Sequence, residues 1–87
     1  MRILIIDDDV TSNTLLSEAL KEHGHQSDVV ESIKDGEYYL DIRHYSLILL
    51  NEILADGNPT DSIKKIKQKC SGRVILATQN GHYCYFC

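Results

Sequence analysis

Three consecutive carboxylates near the N-terminus are the residues best suited to chemistry. Asp7, Asp8 and Asp9 directly follow the apolar run Ile3-Leu4-Ile5-Ile6. A run without a polar face predicts a central strand of a parallel sheet that helices cover on both sides. Open α/β sheets bind ligands at the carboxyl ends of such strands, and clustered acids there favour a hard divalent cation such as Mg²⁺. The alternative is a solvated turn that caps the next helix, and this stretch alone does not decide between the two.

Length, charge and cysteine content limit the classes of function. The chain has 87 residues and a net charge of -4, which predicts one small domain and argues against binding of nucleic acid by this chain. Its densest basic run, from Lys64 to Lys69, is typical of a solvated helix face. No run is long enough for a membrane span, and the N-terminal apolar run is too short for a signal peptide. Three cysteines without a secretory signal indicate free thiols, so we expect a cytoplasmic protein. We also expect that this chain is not an enzyme.

Apolar runs and amphipathic segments alternate along the chain. A helix is predicted over roughly 12–23, with Thr11, Ser12 or Asn13 as its cap and an apolar stripe of Leu15, Leu16, Ala19 and Leu20. Five further elements are predicted to follow. They are a weak edge strand over 26–30, a helix after Ser32, a central strand over 45–50, a helix that buries Ile63, Ile66 and Cys70, and a strand over 73–78. This order predicts an α/β fold with right-handed crossovers and a parallel sheet in the order 2-1-3-4, which is an incomplete flavodoxin-like three-layer sandwich.

Residues 1 to about 80 resemble the receiver (CheY-like) domain of two-component response regulators. The resemblance lies in the run from Ile3 to Asp8, the run from Tyr45 to Leu50, and the run from Val74 to Thr78. It implies a signalling domain of about 1–80, with 81–87 as an atypical tail rich in aromatic residues and cysteine. It also implies a fourth helix, a fifth strand and a fifth helix that this chain lacks, so we interpret the chain as C-terminally truncated.

The resemblance also implies the positions of the site. Asp7 and Asp8 match the acids that hold Mg²⁺, with the backbone carbonyl of Ile53 as a further ligand. Asn51 stands where the family has its phosphoryl-accepting Asp, and Thr78 matches the switch position. A carboxamide is a poor nucleophile and brings no charge to a metal site. We therefore predict a domain that cannot be phosphorylated at Asn51, with no cofactor or at most weak Mg²⁺ binding.

A second acceptor is the main alternative to this interpretation. Glu52 follows Asn51, but neighbouring side chains on a strand point to opposite faces, which disfavours Glu52 as a substitute acceptor.

The stretch from Asp28 to Arg43 is similar to the atypical orphan regulators of the OmpR/PhoB class, which act without phosphorylation and dimerise. We therefore expect a role in two-component-type signal transduction or transcription regulation, as a homodimer or together with a full-length related regulator.

The C-terminal tail allows a third function. His82, Cys84 and Cys87 form the pattern His-x-Cys-x-x-Cys, whose spacing suits zinc binding or redox chemistry. Half of a four-ligand site is missing, so an incidental tail is the interpretation that we favour. The aromatic residues between these positions predict either a strand that folds back over the edge of the fourth strand or pairing with another chain.

Overall fold

The computed structural model describes residues 1–51, 59–70, 72–77 and 83–86. Five strands and three helices lie in this part of the chain: β1 Arg2–Ile6, α1 Val10–Glu22, β2 Gln26–Val30, α2 Ile33–Ile42, β3 Leu47–Asn51, α3 Pro59–Lys69, β4 Arg73–Ala77 and β5 Tyr83–Phe86. The sheet has the order β2-β1-β3-β4-β5. The first four strands are parallel, which confirms the predicted α/β fold and its 2-1-3-4 order.

Strand β1 lies in the middle of the core, as its apolar sequence predicts. Ile6 pairs with Val30 on one side and with Leu50 on the other, and the side chains from Ile3 to Ile6 are almost completely buried. Burial on both faces requires apolar residues at every position, which is why the run has no polar face. The three strand ends therefore deliver their next residues to one edge of the sheet.

Helices α2 and α3 cover one face of the sheet. They share a buried cluster with all four parallel strands and with Tyr45, which precedes β3. Its members are Leu4, Ile6, Val30, Ile33, Leu40, Tyr45, Ile48, Leu50, Ile63, Ile66, Val74 and Leu76. Ser32 caps α2 by accepting a hydrogen bond from the backbone N–H of Asp35, as predicted. Cys70 packs against the cluster, which confirms the predicted buried face of α3.

Helix α1 differs from its prediction in where it begins and in what it buries. It begins at Val10 because the Asp9 side chain accepts from the backbone N–H of Ser12, so the predicted caps at Thr11, Ser12 and Asn13 are wrong. Leu15, assigned to the buried stripe, is 64% exposed. Asn13 is the buried residue of the helix. The helix packs mainly against β2 at one side of the sheet, so its apolar residues meet little of the core.

The tail contributes a strand to this sheet. β5 pairs antiparallel with β4, with Ala77 opposite Tyr83 and Val74 opposite Phe86. This confirms the alternative in which the tail folds back along the fourth strand. The pairing satisfies backbone groups that β4 would otherwise expose at an edge.

A cluster of polar side chains links the strands away from the edge at which β1 and β3 end. The buried Tyr45 hydroxyl donates to Asp28 Oδ2 at 2.6 Å, and guanidinium nitrogens of Arg2 and Arg43 each lie 3.6 Å from the same oxygen. Burial raises the pKa of Tyr45, and the hydrogen bond and charge of Asp28 raise it further. The cluster joins β1 and β2 to the end of α2 and to the segment that leads into β3.

Candidate functional site

The backbone of Asp7 is held from two sides. Its N–H donates to the carbonyl of Val30 at 3.0 Å, which extends the contact between β1 and β2 by one residue. The Asn13 side chain donates from Nδ2 to the Asp7 carbonyl at 2.7 Å. Asn13 is 6% exposed, so this hydrogen bond lies within the protein. The first carboxylate of the acidic run therefore has a fixed position at the edge of the sheet.

The side chain of Asn51 contacts the carboxylate of Asp7 directly. Asn51 ends β3, and the pairing of Ile6 with Leu50 places the two side chains next to each other. Asn51 Nδ2 donates to Asp7 Oδ1 at 3.0 Å. The backbone N–H of Asp9 donates to the same oxygen at 3.0 Å. A carboxylate oxygen attracts the amide N–H and repels the amide carbonyl, so electrostatics supports this orientation of the Asn51 amide.

The three consecutive acids have three different environments. Asp7 is half-buried and accepts from Asn51, whereas Asp8 is exposed. Asp9 caps α1, and its hydrogen bonds from the Ser12 backbone and hydroxyl lower the pKa of its carboxyl. The solvated-turn alternative is thus correct for Asp9, whereas Asp7 lies at the site that the parallel sheet predicts.

The described residues bear on the predicted magnesium site only through Asp7, Asp8 and Asn51, since Ile53 lies outside them. Mg²⁺ requires oxygen ligands in a near-octahedral arrangement, usually with one or two carboxylates and several waters. Asp7 Oδ1 instead serves two N–H donors, and Asn51 presents an N–H to it. Within the described residues, no group of three or more His, Cys, Asp or Glu side chains is placed to hold a metal.

Several predicted positions lie outside the described part of the chain. They are Glu52, Ile53, Thr78, His82 and Cys87, and of Cys84 the structure describes only the backbone, within β5. The structure thus brings together Asp7 and Asn51 from the predicted set. It also adds Asn13, which the sequence suggested only as a helix cap. An asparagine near the start of a helix is a capping signal, and that signal gives no indication of a contact with Asp7.

The chain resembles regulators of bacterial two-component systems in sequence and in structure. It is 34% identical over 82 residues to the transcriptional regulatory protein CpxR of Escherichia coli K12, which covers 92% of this chain. It superposes on the MaeR response regulator, solved with beryllium trifluoride, with a TM-score of 0.81 and 30% identity over 91% of this chain and 67% of that one. The chain belongs to the response regulator receiver family. A CheY-like receiver domain from Methylobacillus flagellatus has the same fold, with a TM-score of 0.84 at 20% identity, over 94% of this chain and 74% of that one.

The similarity concerns one part of the longer relatives. This receiver domain spans about a third of the length of the curated relatives it matches, 33% of SilR from Salmonella typhimurium and 34% of CpxR. No protein-family model matches the chain. In the described residues, none of the helices has the length and apolar character needed to cross a membrane.

Proposed function

We propose that this receiver domain signals through protein association and does not depend on phosphorylation at Asn51. The observation that carries the proposal is the hydrogen bond from Asn51 Nδ2 to Asp7 Oδ1 at 3.0 Å. Acceptance of a phosphoryl group at this position needs a carboxylate oxygen that attacks phosphorus. The amide nitrogen has no free lone pair for this attack, and here it donates to Asp7.

The same hydrogen bond replaces the electrostatic role of a metal. Asp7 carries a negative charge at a half-buried position, which costs free energy unless a cation or N–H donors compensate it. The Asn51 amide and the Asp9 backbone N–H supply that compensation in the protein itself. This internal compensation supports the proposal that the domain needs no cofactor.

The relatives support the biological setting of the proposal. SilR is a probable transcriptional regulatory protein and CpxR is a transcriptional regulatory protein, which supports a role of this domain in two-component-type signal transduction and transcription regulation, in the cytoplasm. The similarity of 28–43 to atypical orphan regulators of the OmpR/PhoB class supports a phosphorylation-independent mode of action. The partner is then a second copy of this chain or a related full-length regulator.

The solution mass of the protein tests the proposal. Light scattering across a concentration series, with and without acetyl phosphate and Mg²⁺, measures whether the domain associates and whether a phosphodonor changes this. We expect a discrete dimer or larger assembly that is identical under both conditions. The Asn51→Asp variant is the matched control, because it restores a carboxylate at this position and leaves the rest of the surface unchanged.

Two results would contradict the proposal. A monomer at every concentration, together with no complex on mixing with a full-length relative, would exclude association as the function. An assembly that forms only with the phosphodonor in the unsubstituted protein would show that another residue accepts the phosphoryl group. Glu52 is the first residue to examine in that case.

A further inference from the structure

The two faces of the sheet are covered unequally by the described helices. The buried cluster that α2 and α3 share contains alternate strand residues such as Ile48 and Leu50, so these two helices cover the first face. Ile5, Leu49 and Ile75 are paired across β1, β3 and β4 and point to the second face. Parallel sheets are normally covered by helices on both faces. The second face continues to β4 and β5, and α1, with 13 residues, is the described helix that lies on it.

Burial decreases along the second face from β1 to β4. Helix α1 contacts mainly β2, and it forms a cleft there with Val29, which is paired with Ile5. Ile5 is 2% exposed, whereas Leu47, Leu49 and Ile75 are only half-buried. The cover that α1 provides therefore ends near β1. We call the three half-buried residues Leu47, Leu49 and Ile75 the open floor.

An exposed leucine of α1 lies on the side of the helix that faces the open floor. Leu15 is 64% exposed, although its neighbour Leu16 is half-buried. Val10 and Thr14 line the cleft toward β2, so Leu15 and Ala19, on the other side of the helix, lie toward β3. A single exposed leucine is ordinary on a protein surface. Leu15 and the open floor together instead form an apolar patch, which is typical of an interaction site.

This patch suits a second copy of the same chain. A two-fold interface brings the same surface of both copies together, so every contact is made twice. An exposed leucine beside an apolar floor is self-complementary, because Leu15 of each copy can pack on the open floor of the other. The net charge of -4 makes two copies repel each other, but neither Leu15 nor the open floor carries a charge. Contact at this patch removes apolar area from water without bringing like charges together.

We propose that two copies of this domain pair about a two-fold axis, with Leu15 of each copy packed on Leu49 and Ile75 of the other. The proposal rests on the proposed function, because it names the surface through which the domain associates. Strands lie about 4.8 Å apart, a strand of five residues is about 17 Å long, and a helix is about 10 Å wide. The surface from α1 to β5 then measures roughly 400–500 Å² per copy. A pair that buries roughly 800–1,000 Å² belongs to the weak, transient class of interfaces.

Sedimentation velocity across a concentration series measures this dimer, and a matched pair of substitutions locates it. Leu15→Ser should raise the dissociation constant at least about 30-fold, because each dimer loses two buried leucines. Ile42→Ser is the control, since Ile42 is 55% exposed and lies on α2, which covers the first face. It should leave the dissociation constant within about twofold. Both side chains are exposed in the single copy, and circular dichroism checks that both variants are folded.

Isotope-filtered nuclear magnetic resonance locates the contact directly. A sample that mixes ¹³C-labelled and unlabelled full chain gives nuclear Overhauser effects between copies alone. We expect these from the methyl groups of Leu15 in one copy to those of Leu49 and Ile75 in the other. They should disappear in the Leu15→Ser variant and persist in the Ile42→Ser variant.

The outcomes separate this interface from the proposed function. A dimer that Leu15→Ser leaves unchanged, or intermolecular contacts that lie only outside the open floor, would overturn the interface while association itself stands. A chain that stays monomeric at millimolar concentration but binds a full-length relative through the open floor would overturn the second copy as the occupant. A chain that associates neither with itself nor with a relative would contradict the proposed function as well.

Discussion

Replacement of Asn51 by aspartate should destabilise this domain, since it removes a donor and introduces a like charge. In the unsubstituted protein Asn51 Nδ2 donates to Asp7 Oδ1 at 3.0 Å. Two unit charges at that distance repel by about 5.5 kcal/mol at an effective dielectric constant of about 20 and by about 1.4 kcal/mol in water. The site is half-buried and the side chains can turn apart. We therefore expect a loss of about 2–4 kcal/mol in the free energy of unfolding at neutral pH, including the lost hydrogen bond.

The pH dependence of this loss has a defined sign. Two adjacent carboxylates disfavour each other's ionisation. In the folded variant, the pKa of the pair formed by Asp7 and the introduced aspartate should therefore rise above the value of about 3.9 of the unfolded chain. The folded state then binds more protons than the unfolded state, and stability falls as pH rises through the raised pKa. The difference between the variant and the unsubstituted protein should be largest above about pH 6 and should shrink below about pH 4.

Urea unfolding at a series of pH values measures this effect. Asn51→Ala is the control, because it removes the donor without adding charge and should cost only about 1–2 kcal/mol at every pH. Mg²⁺ should restore stability to Asn51→Asp alone, since that substitution creates a pair of carboxylates for the ion. If Asn51→Asp is as stable as the unsubstituted protein at neutral pH, the contact between Asn51 and Asp7 does not hold the site together and the reasoning is wrong.

Three further substitutions test other parts of the structure. Tyr45→Phe removes a buried donor to Asp28 and should cost about 1–3 kcal/mol, as a charge-assisted hydrogen bond does, by urea unfolding. Gly72→Ala places a Cβ 2.6 Å from the backbone oxygens of Tyr45 and Ser46, so it should lower the melting temperature markedly, and a neutral result would contradict this close approach. The Asp9 carboxyl caps α1 and its pKa is lowered on folding, so the stability that its charge contributes is present at neutral pH and is lost as pH falls below about 4. Asp9→Asn keeps an oxygen that can cap the helix but removes the titrating carboxyl. The free energy of unfolding of this variant should therefore depend less on pH in the acid range. A loss of stability in acid equal to that of the unsubstituted protein would refute this role of Asp9.

Sequence patterns predicted the parts of this structure that follow from the burial of a strand on both of its faces. The run from Ile3 to Ile6 ends in acids because a central strand carries no polar residue until it leaves the core. That rule predicted the parallel order of four strands and brought Asp7 next to Asn51 at one edge. Both conclusions need only the period of apolar residues and the direction of strands.

The sequence failed where the outcome depends on what lies next to an element in space. The stripe that includes Leu15 is amphipathic in sequence, yet α1 contacts mainly β2, so Leu15 stays exposed. Asn13 is buried because a carbonyl of Asp7 lies beside it, a contact that no spacing rule contains. Pairing of Tyr83–Phe86 with β4 was one of two open alternatives, since an edge strand accepts a neighbour from either its own chain or another.

Phosphodonor labelling tests the central claim most directly. The full chain is incubated with acetyl phosphate and Mg²⁺, and its intact mass is measured beside that of the Asn51→Asp variant, which restores a carboxylate at this position. The hydrogen bond from Asn51 to Asp7 predicts that the unsubstituted chain keeps its mass. A stoichiometric gain of one phosphoryl group would show that the domain accepts phosphate, and would contradict the account.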